Sequence, residues 1–250
     1  MAGTGRWIHL HTVDSTNEYL KRNGEELPDW TLVTASHQTA GKGRQGKVWQ
    51  DCEAQSFLGS WLLKGLSEEQ LKLLPMAAGL AVSQALEQQG MKPVWLKWPN
   101  DVVISRKKIC GILTEMGTNG VKINYVLIGV GINVNLKEFP EEMQDKATSL
   151  ILESGQEYDR NQVISQVMKY FEINYEKFVQ TCDFTHLLED YHKILANLNQ
   201  PVRVLDGSKS FEGICRGIDE KGELLVEKQD KEITKVSAGE VSVRGLYSYV

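Results

Sequence analysis

The chain has 250 residues and a formal net charge of −5, with 41% hydrophobic and 24% charged residues. This is ordinary globular composition with enough apolar material for a sizeable core, so disulfide or metal staples are not required. The acidic balance argues against nucleic acid or an anionic membrane as a partner. The longest apolar stretch, at 126–134, is interrupted by two glycines and an asparagine, and it is far shorter than the roughly 20 residues that span a bilayer.

Cysteine and histidine placement predicts a cytoplasmic protein without a metal site. The N-terminal residues contain no apolar segment of the secretory type. His9 and His11 share one face of a predicted strand, but no third ligand lies near them in the sequence. The cysteines are scattered without CxxC spacing, which predicts free thiols. They are Cys52, Cys110, Cys182 and Cys215.

The first third of the chain predicts strands at 7–13, 31–36 and 56–64, with a glycine-rich basic loop at 38–50. A helix is predicted between the first two strands. Ser15 is followed three residues later by Glu18, which matches a capping box at the start of this helix. The helix is expected to end at Asn23, because Gly24 follows.

The middle of the chain predicts helices and a hairpin around a basic turn. Apolar residues at helical spacing predict a helix at 71–89 with Pro75 in its first turn. The basic turn at 105–108 separates predicted strands at 102–104 and 109–116. Further predicted elements are a short strand at 94–98, a buried strand at 125–135, and helices at 159–179 and 184–195.

The pattern changes after Asn197, where short strands alternate with polar and glycine turns. Evenly spaced short strands of this kind predict a small barrel. We therefore predict a domain boundary near 197–199, which divides the chain into residues 1–197 and 198–250. The five predicted strands lie at 201–205, 211–218, 223–227, 232–236 and 241–243.

The segment 41–47 carries three glycines and three cations in seven positions. Glycine allows backbone N–H groups to form a concave nest for oxyanions, and Lys42, Arg44 and Lys47 add positive charge there. A flexible solvated turn is the alternative interpretation. The segment nearly matches a phosphate-binding P-loop, but Val48 lacks the hydroxyl that holds Mg²⁺ and no helix start follows.

The KWPND segment at 97–101 is the second candidate for a site. Its proline fixes a bend that presents Asn100 and Asp101 at strand ends, although a plain turn is the alternative. The predicted hairpin returns Lys108 and Gly111 to this place, and a carboxylate beside a lysine can orient a metal–nucleotide or restrain an amine. The sequence contains no G-x-S-x-G segment and no credible nucleophilic triad. We therefore expect catalysis by positioning and charge stabilisation.

Five ordered motifs together resemble the biotin–protein ligases, which include biotin–acetyl-CoA-carboxylase ligase and holocarboxylase synthetase. The resemblance extends from about Ile8 to Arg244. It implies an α+β fold, in which a mixed β-sheet flanked by helices, like that of class II aminoacyl-tRNA synthetases, precedes a small SH3-like β-barrel. The motifs are DSTN at 14–17, Gln38 with GKGRQG at 41–46, KWPND at 97–101, Lys108 with GIL at 111–113, and GVGINVN at 129–135.

The resemblance also implies a two-step reaction with biotin, ATP and Mg²⁺. The biotin carboxylate attacks the α-phosphate of Mg-ATP, which gives biotinyl-5′-AMP and pyrophosphate. A lysine on a biotin carboxyl carrier protein domain of a carboxylase then attacks the mixed anhydride. Two anions must meet in the first step, so cations and backbone N–H groups should dominate catalysis.

Residue roles follow from the resemblance, position by position. Biotin binding is assigned to Ser15, Thr16, Asn17, Gln38, Gly41, Lys42, Gly43, Arg44, Lys108 and Gly111. Nucleotide binding is assigned to Arg44, Trp49, Asn100, Lys108 and Asn133. Arg44 should contact the acyl-phosphate, Lys108 the biotin carboxylate and α-phosphate, and Asp101 should aid the metal or the attacking lysine. No metal is expected to be held permanently; Mg²⁺ should arrive with ATP, near Asp101.

Two features bear on specificity and partners. The family loop commonly has arginine where this chain has Lys42, so charge is kept but the bidentate fork is lost. Only six residues precede the first predicted strand, so we expect no N-terminal helix-turn-helix and a monofunctional ligase without nucleic-acid or membrane partners. A homodimer stays open, because an open sheet leaves an edge strand available for pairing.

Two alternatives to a biotin ligase are weighed. A lipoate–protein ligase or octanoyl transferase shares the fold, but the KWPND segment and the run Ser15, Thr16 and Asn17 favour biotin. A regulatory module that binds biotin or its adenylate without turnover is the second alternative. The presence of Arg44, Lys108 and Asp101 argues against it.

Overall fold

The computed structural model describes residues 5–50, 54–120, 122–206, 209–239 and 241–245. Its larger sheet has seven strands in the order β1-β2-β3-β7-β6-β5-β4. β1 and β2 are parallel and the other neighbours are antiparallel, so the predicted mixed sheet is confirmed. The strands are β1 (Trp7–Val13), β2 (Thr31–Gln38), β3 (Ser56–Leu63), β4 (Trp95–Lys97), β5 (Asp101–Ile104), β6 (Lys107–Asn119) and β7 (Lys122–Asn133).

Helices cover both faces of this sheet. Neighbouring strand residues point to opposite faces, and apolar side chains occur on both, so each face needs a covering layer. On one face, Leu20 of the first helix packs with Val33, Leu62 and Leu127. On the other face, the long helices pack over apolar residues such as Trp61. The Trp61 ring centroid lies 5.4 Å from that of Phe171 in the fourth helix. The helices are α1 (Thr16–Asn23), α2 (Glu68–Gln88), α3 (Leu150–Ser154), α4 (Arg160–Thr181) and α5 (Thr185–Lys193), with 3-10 turns at Arg44–Gly46 and Glu141–Met143.

One predicted helix start is wrong, and one predicted capping box is not formed. Ser15 is the N-cap residue of α1, as predicted, but its side chain makes no cap hydrogen bond. The Ser15 N–H donates to Asp14, and Glu18 pairs with Lys21 and Lys42, so the second half of the capping box is absent as well. The helix predicted at 71–89 begins earlier, at Glu68, and Pro75 lies inside it rather than in its first turn. A true capping box between Ser67 and Gln70 explains the earlier start.

The C-terminal strands form an antiparallel sheet in the order β11-β10-β9-β8-β12. Among the described strands β11 and β12 are the two edges and do not pair, so the predicted small barrel is observed as an antiparallel sheet that is not closed. Backbone carbonyls in the segment between these two edge strands accept hydrogen bonds from the Arg44 side chain. The strands are β8 (Pro201–Asp206), β9 (Lys209–Ile218), β10 (Leu224–Glu227), β11 (Ile233–Val236) and β12 (Ser242–Gly245).

The hairpin turn, the cysteines, the helices and the domain boundary were also predicted from the sequence. The basic hairpin turn is shorter than expected, because β6 already begins at Lys107. Within the described part of the chain, Cys110, Cys182 and Cys215 are free thiols, whereas Cys52 lies outside the described residues. No helix in the described ranges is long and apolar enough to cross a membrane. The domain boundary near 197–199 stays a prediction.

Trp98 links the larger sheet to the C-terminal sheet, and we expect its replacement to lower the unfolding free energy. The indole is 2% exposed, and its Nε1 donates to the carbonyl oxygen of Gly222 at 3.0 Å. Trp98→Phe leaves that carbonyl buried without its donor, so we expect a loss of about 1–3 kcal/mol in unfolding free energy. Denaturant unfolding measures it. Trp95→Phe, at an exposed indole of the same segment, is the control, and equal losses in the two variants would contradict this role.

Candidate functional site

A cleft opens between α1, the glycine-rich loop and the β3, β6 and β7 strands. It exists because small residues stand on the sheet beneath it. A Cβ atom at Gly129 would lie 2.7 Å from Asn17 Oδ1, and one at Gly131 would lie 2.6 Å from the Trp49 ring. Side chains at these positions would fill the space, so the glycines create the floor of the cleft.

One end of the cleft is lined by uncharged polar groups at the start of α1. Gln38, at the end of β2, accepts with Oε1 from the Thr16 backbone N–H at 2.8 Å. The Thr16 hydroxyl lies 2.6 Å from that of Ser60, which donates to Asn17 Oδ1 at 2.5 Å. Thr16, Asn17 and Ser60 are all buried. This end can exchange several hydrogen bonds with a neutral polar ligand group.

A chain of ion pairs leads from this polar end to the glycine-rich loop. Asn17 Nδ2 donates to Glu115 at 2.8 Å, and Lys21 bridges Glu115 at 2.7 Å and Glu18 at 2.8 Å. Lys42 also donates to Glu18 at 2.8 Å. Hydrogen bonds from Lys21 and Lys42 lower the pKa of Glu18. Burial lowers the pKa of Lys21, but its two carboxylate partners outweigh burial and leave that pKa raised.

The glycine-rich loop folds back on itself. The Gly43 N–H donates to the Lys47 carbonyl at 2.7 Å, and the Trp49 N–H donates to the Gly41 carbonyl at 2.9 Å. A 3-10 turn lies between, rather than the helix that a P-loop requires. The return of the chain carries the Trp49 ring over Gly111 of β6 and places it 5.6 Å from Lys108 Nζ.

Arg44 spans the space between the two sheets. Its Nη1 donates to Asn100 Oδ1 at 3.0 Å, and its Nη2 donates to the carbonyls of Ala238 and Gly239, both at 2.6 Å. Burial lowers the pKa of Arg44, and the charge of Asp101 opposes that effect. An arginine remains charged under such a shift, so a fixed cation faces the cleft.

The KWPND segment supplies the opposite wall. Asp101 pairs with Gly111 across β5 and β6, and its Oδ1 lies 2.6 Å from Lys108 Nζ. The Asn100 side-chain amide donates to the Ile112 carbonyl at 2.8 Å, and the Ile112 N–H donates to the Asn100 carbonyl at 3.0 Å. The predicted approach of Lys108 and Gly111 to Asp101 is therefore observed. The arrangement places Lys108 at the cleft with Asp101 directly behind it.

Lys97 precedes this wall on β4 and is 6% exposed. Burial lowers its pKa to about 8; Asp101 opposes the shift, whereas Arg244, Lys108 and Lys47 add to it. Between pH 8 and the ordinary lysine value of 10.5 the folded chain holds this amine neutral while the unfolded chain holds it protonated. Folding stability must therefore rise with pH across this window.

We expect Lys97→Met to remove that rise. Wild-type unfolding free energy should gain about 2 kcal/mol more than the variant between pH 8 and pH 10.5. Denaturant unfolding of both proteins across this window measures the difference. Lys92→Met, at an exposed lysine nearby, is the control. Parallel curves for Lys97→Met and the wild type would show that burial does not shift Lys97.

Most predicted site residues line the cleft, and a few do not. Gly41 packs behind the loop against Trp49, Asp101 stands behind Lys108, and Asn133 donates to the Thr148 carbonyl at 2.9 Å without lining the cleft. The predicted residues at the cleft are Ser15, Thr16, Asn17, Gln38, Lys42, Gly43, Arg44, Trp49, Asn100, Lys108 and Gly111. The lining residues that were not predicted as site residues are Gly59, Ile112, Leu113, Gly129, Val130 and Gly131.

Of the residues missed, Gly129 and Gly131 had a signal, since two glycines inside a buried strand indicate a close approach by another group. Gly59 carries no such signal, because only strand pairing places it at the cleft. Ser60 carries none either, and it lies buried behind the cleft in contact with Thr16 and Asn17. In the described ranges no group of three potential metal-ligating side chains exists. Asp101 can still contribute one carboxylate to a Mg²⁺ ion whose other ligands are phosphates and water.

Two family models match the chain. A model of the biotin/lipoate A/B protein ligase family matches residues 10–133, and a model of the biotin protein ligase C-terminal domain matches residues 198–244. The matched ranges contain the residues of the cleft and the antiparallel C-terminal sheet respectively.

Individual relatives agree with these models. The bifunctional ligase/repressor BirA of Bacillus subtilis is 36% identical over 94% of this chain and 72% of its own length. The biotin–acetyl-CoA-carboxylase ligase of Mycobacterium tuberculosis is 34% identical over 96% of this chain and 90% of its length. The biotin protein ligase of Aquifex aeolicus in complex with biotin and ATP superposes with a TM-score of 0.84, at 34% identity over 96% of this chain and 99% of that one. The chain therefore belongs to the biotin protein ligase family.

Proposed function

We propose that this chain activates biotin with ATP as biotinyl-5′-AMP and transfers biotin to a lysine of a carrier protein. The observation that carries the proposal is one cleft with two unlike ends. Neutral polar groups of Thr16 and Asn17 lie at one end, and the cations Arg44 and Lys108 lie at the other. Biotin has the same polarity, with a cyclic urea at one end and a carboxylate at the other.

At the polar end we propose that Ser15, Thr16, Asn17 and Gln38 bind the urea ring. A cyclic urea presents one carbonyl acceptor and two N–H donors, and this end offers hydroxyls and amides that match both. Lys42 reaches the same end from the loop, while Gly41 and Gly43 give the loop its shape. Gly111 leaves room for the apolar part of biotin on the sheet.

At the charged end we propose that Lys108 and Arg44 bind the biotin carboxylate and the α-phosphate. These cations offset the repulsion between two anions as they approach, which is where the transition state gains stabilisation. Asp101 Oδ1 lies 2.6 Å from Lys108 Nζ and holds this amine in place. Asp101 is also proposed to guide the attacking lysine or the Mg²⁺ that accompanies ATP. Trp49, Asn100 and Asn133 are proposed to bind the nucleotide.

The acceptor is proposed to be the biotin carboxyl carrier domain of a biotin-dependent carboxylase. The M. tuberculosis relative is named for such a carboxylase, which supports this choice. A cytoplasmic location, the absence of nucleic-acid and membrane partners, a homodimer and a domain boundary at 197/198 all stay predictions.

The test supplies biotin, Mg-ATP and a purified biotin carboxyl carrier domain, and detects the product with streptavidin. We expect label on the carrier lysine that depends on ATP and on the enzyme. A carrier whose acceptor lysine is replaced by arginine is the matched control. Absence of biotin label, with lipoate or octanoate transferred to a lipoyl domain instead, would overturn the assignment.

A further inference from the structure

Glu115 on β6 lies below the polar end of the cleft and has no part in the proposed reaction. Its Oε2 accepts from Asn17 Nδ2 at 2.8 Å, and its Oε1 accepts from Lys21 Nζ at 2.7 Å. An ionised carboxylate can only accept hydrogen bonds. The Asn17 amide must therefore turn its NH₂ group to Glu115 and its oxygen away, toward Ser60.

This orientation sets the direction of the next hydrogen bonds. Ser60 has one hydroxyl proton and donates it to Asn17 Oδ1 at 2.5 Å. Ser60 must then accept in its 2.6 Å contact with the Thr16 hydroxyl. The Thr16 hydroxyl also donates to Gln38 Oε1 at 3.0 Å, so its single proton is shared between two acceptors, Ser60 and Gln38. Proton donation thus runs from Thr16 to Ser60, to Asn17 and finally to Glu115, and the lone pairs of the Thr16 hydroxyl remain to accept from a ligand.

We propose that Glu115 is a positioning residue that sets this direction and thereby makes Thr16 an acceptor for the N–H groups of a cyclic urea. The proposal rests on the proposed function, because biotin is the ligand that carries the cyclic urea. Glu115 acts through Asn17 and Ser60 and touches neither biotin nor ATP. Its charge matters more than its shape.

Glu115→Gln reverses the direction. Lys21 attracts the oxygen of the new amide, so the amide NH₂ turns to Asn17 and makes the Asn17 side chain flip. Ser60 then accepts from Asn17 and donates to Thr16, which occupies a lone pair that the ligand needs. One hydrogen bond is lost at a buried site, which corresponds to about 10- to 100-fold weaker biotin binding.

Titration calorimetry of the full chain with biotin and, separately, with ATP tests this expectation. For Glu115→Gln the biotin Kd should rise about 10- to 100-fold, while the ATP Kd and kcat at saturating biotin stay close to wild type. Glu227→Gln is the matched control, since Glu227 also divides its two oxygens between two side-chain donors but lies in the C-terminal sheet. Unchanged biotin affinity in Glu115→Gln, or an equal loss for ATP, would overturn the proposal.

A swap variant separates direction from mere packing. In Asn17→Asp with Glu115→Gln, the new carboxylate accepts from Ser60 and from the new amide, whose oxygen still faces Lys21. Every hydrogen bond of this chain of donors and the net charge are retained, so the swap should recover part of the biotin affinity that Glu115→Gln loses, even though Asn17 is itself proposed to bind the urea ring. Asn17→Asp alone places two carboxylates together and should not bind biotin well. A swap no better than Glu115→Gln would contradict the mechanism.

Failure of the Glu115 role and failure of the proposed function give different results. If Glu115→Gln unfolds, the swap is compared with Asn17→Asp alone, and equal losses in both overturn the proposal. If wild type binds lipoate or octanoate but not biotin, the proposed function fails, and the urea acceptor fails with it. Tight biotin binding by both wild type and Glu115→Gln would overturn only the role of Glu115.

Discussion

Replacing Lys108 with alanine is expected to slow adenylate formation by about two orders of magnitude, or about 3 kcal/mol of transition-state stabilisation. Lys108 Nζ lies at the cleft, 2.6 Å from Asp101 Oδ1 and 5.6 Å from the Trp49 ring centroid. Its removal leaves the Asp101 carboxylate facing the two anions that must react. The variant therefore loses an attractive charge and exposes a repulsive one.

Pyrophosphate release in a single turnover, with biotin and Mg-ATP saturating, measures this step without the carrier protein. Lys107→Ala is the matched control, because the neighbouring Lys107 donates to the Gln144 carbonyl at 2.8 Å on the surface. Lys107→Ala should release pyrophosphate at the wild-type rate. A near-wild-type rate in Lys108→Ala would remove Lys108 from the mechanism, provided that thermal unfolding shows both variants folded.

The strands were predictable where local pattern determines structure. The first half of β7 is apolar on both faces, because Val126 and Ile128 pack beneath the long helices and Leu127 packs with α1, and the sequence shows this as a continuous apolar stretch. Helix starts were less predictable. The first turn of α2 contains Glu68 and Glu69, which carry no apolar period, so only the Ser67 cap identifies it.

The charged residues of the site were predictable by type and position. Lys108 and Asp101 lie seven residues apart on one hairpin, so local chain geometry brings them together. Ser60 and Glu115 could not be found this way. Their contacts with Asn17 join residues 43 and 98 positions apart, and those depend on sheet order and register rather than on local sequence.

The closed barrel fails for a related reason. Five short strands with glycine turns fit a barrel and an open antiparallel sheet equally well, and strand count alone cannot distinguish them. The segment between β11 and β12 instead gives the carbonyls of Ala238 and Gly239 to Arg44. This contact joins residues almost 200 positions apart and involves a predicted catalytic residue, so local sequence could not reveal it.

That contact makes Arg44→Gly the second large effect. We expect biotinyl-5′-AMP to leave the enzyme about 10- to 100-fold faster, because the charge-assisted hydrogen bonds of one guanidinium are lost. Arg44 donates to Asn100 on the larger sheet and to the Gly239 carbonyl between β11 and β12. Arg44→Gly therefore also removes the hydrogen bonds that hold this C-terminal segment beside the cleft. Escape of a reactive acyl-adenylate should appear as biotin on lysines of unrelated proteins.

Gln45→Gly separates loss of the guanidinium from added loop flexibility. Gln45 is exposed in the same turn and has a φ of 57°, which glycine adopts readily, so its replacement should retain the adenylate as wild type does. Arg44→Lys should fall between, since one ammonium keeps the charge but cannot reach Asn100 and the C-terminal carbonyls together. Adenylate dissociation, followed by chase with unlabelled biotin and ATP, ranks the variants. Equal retention in Arg44→Gly and wild type would mean that the loop backbone, and not this side chain, holds the intermediate.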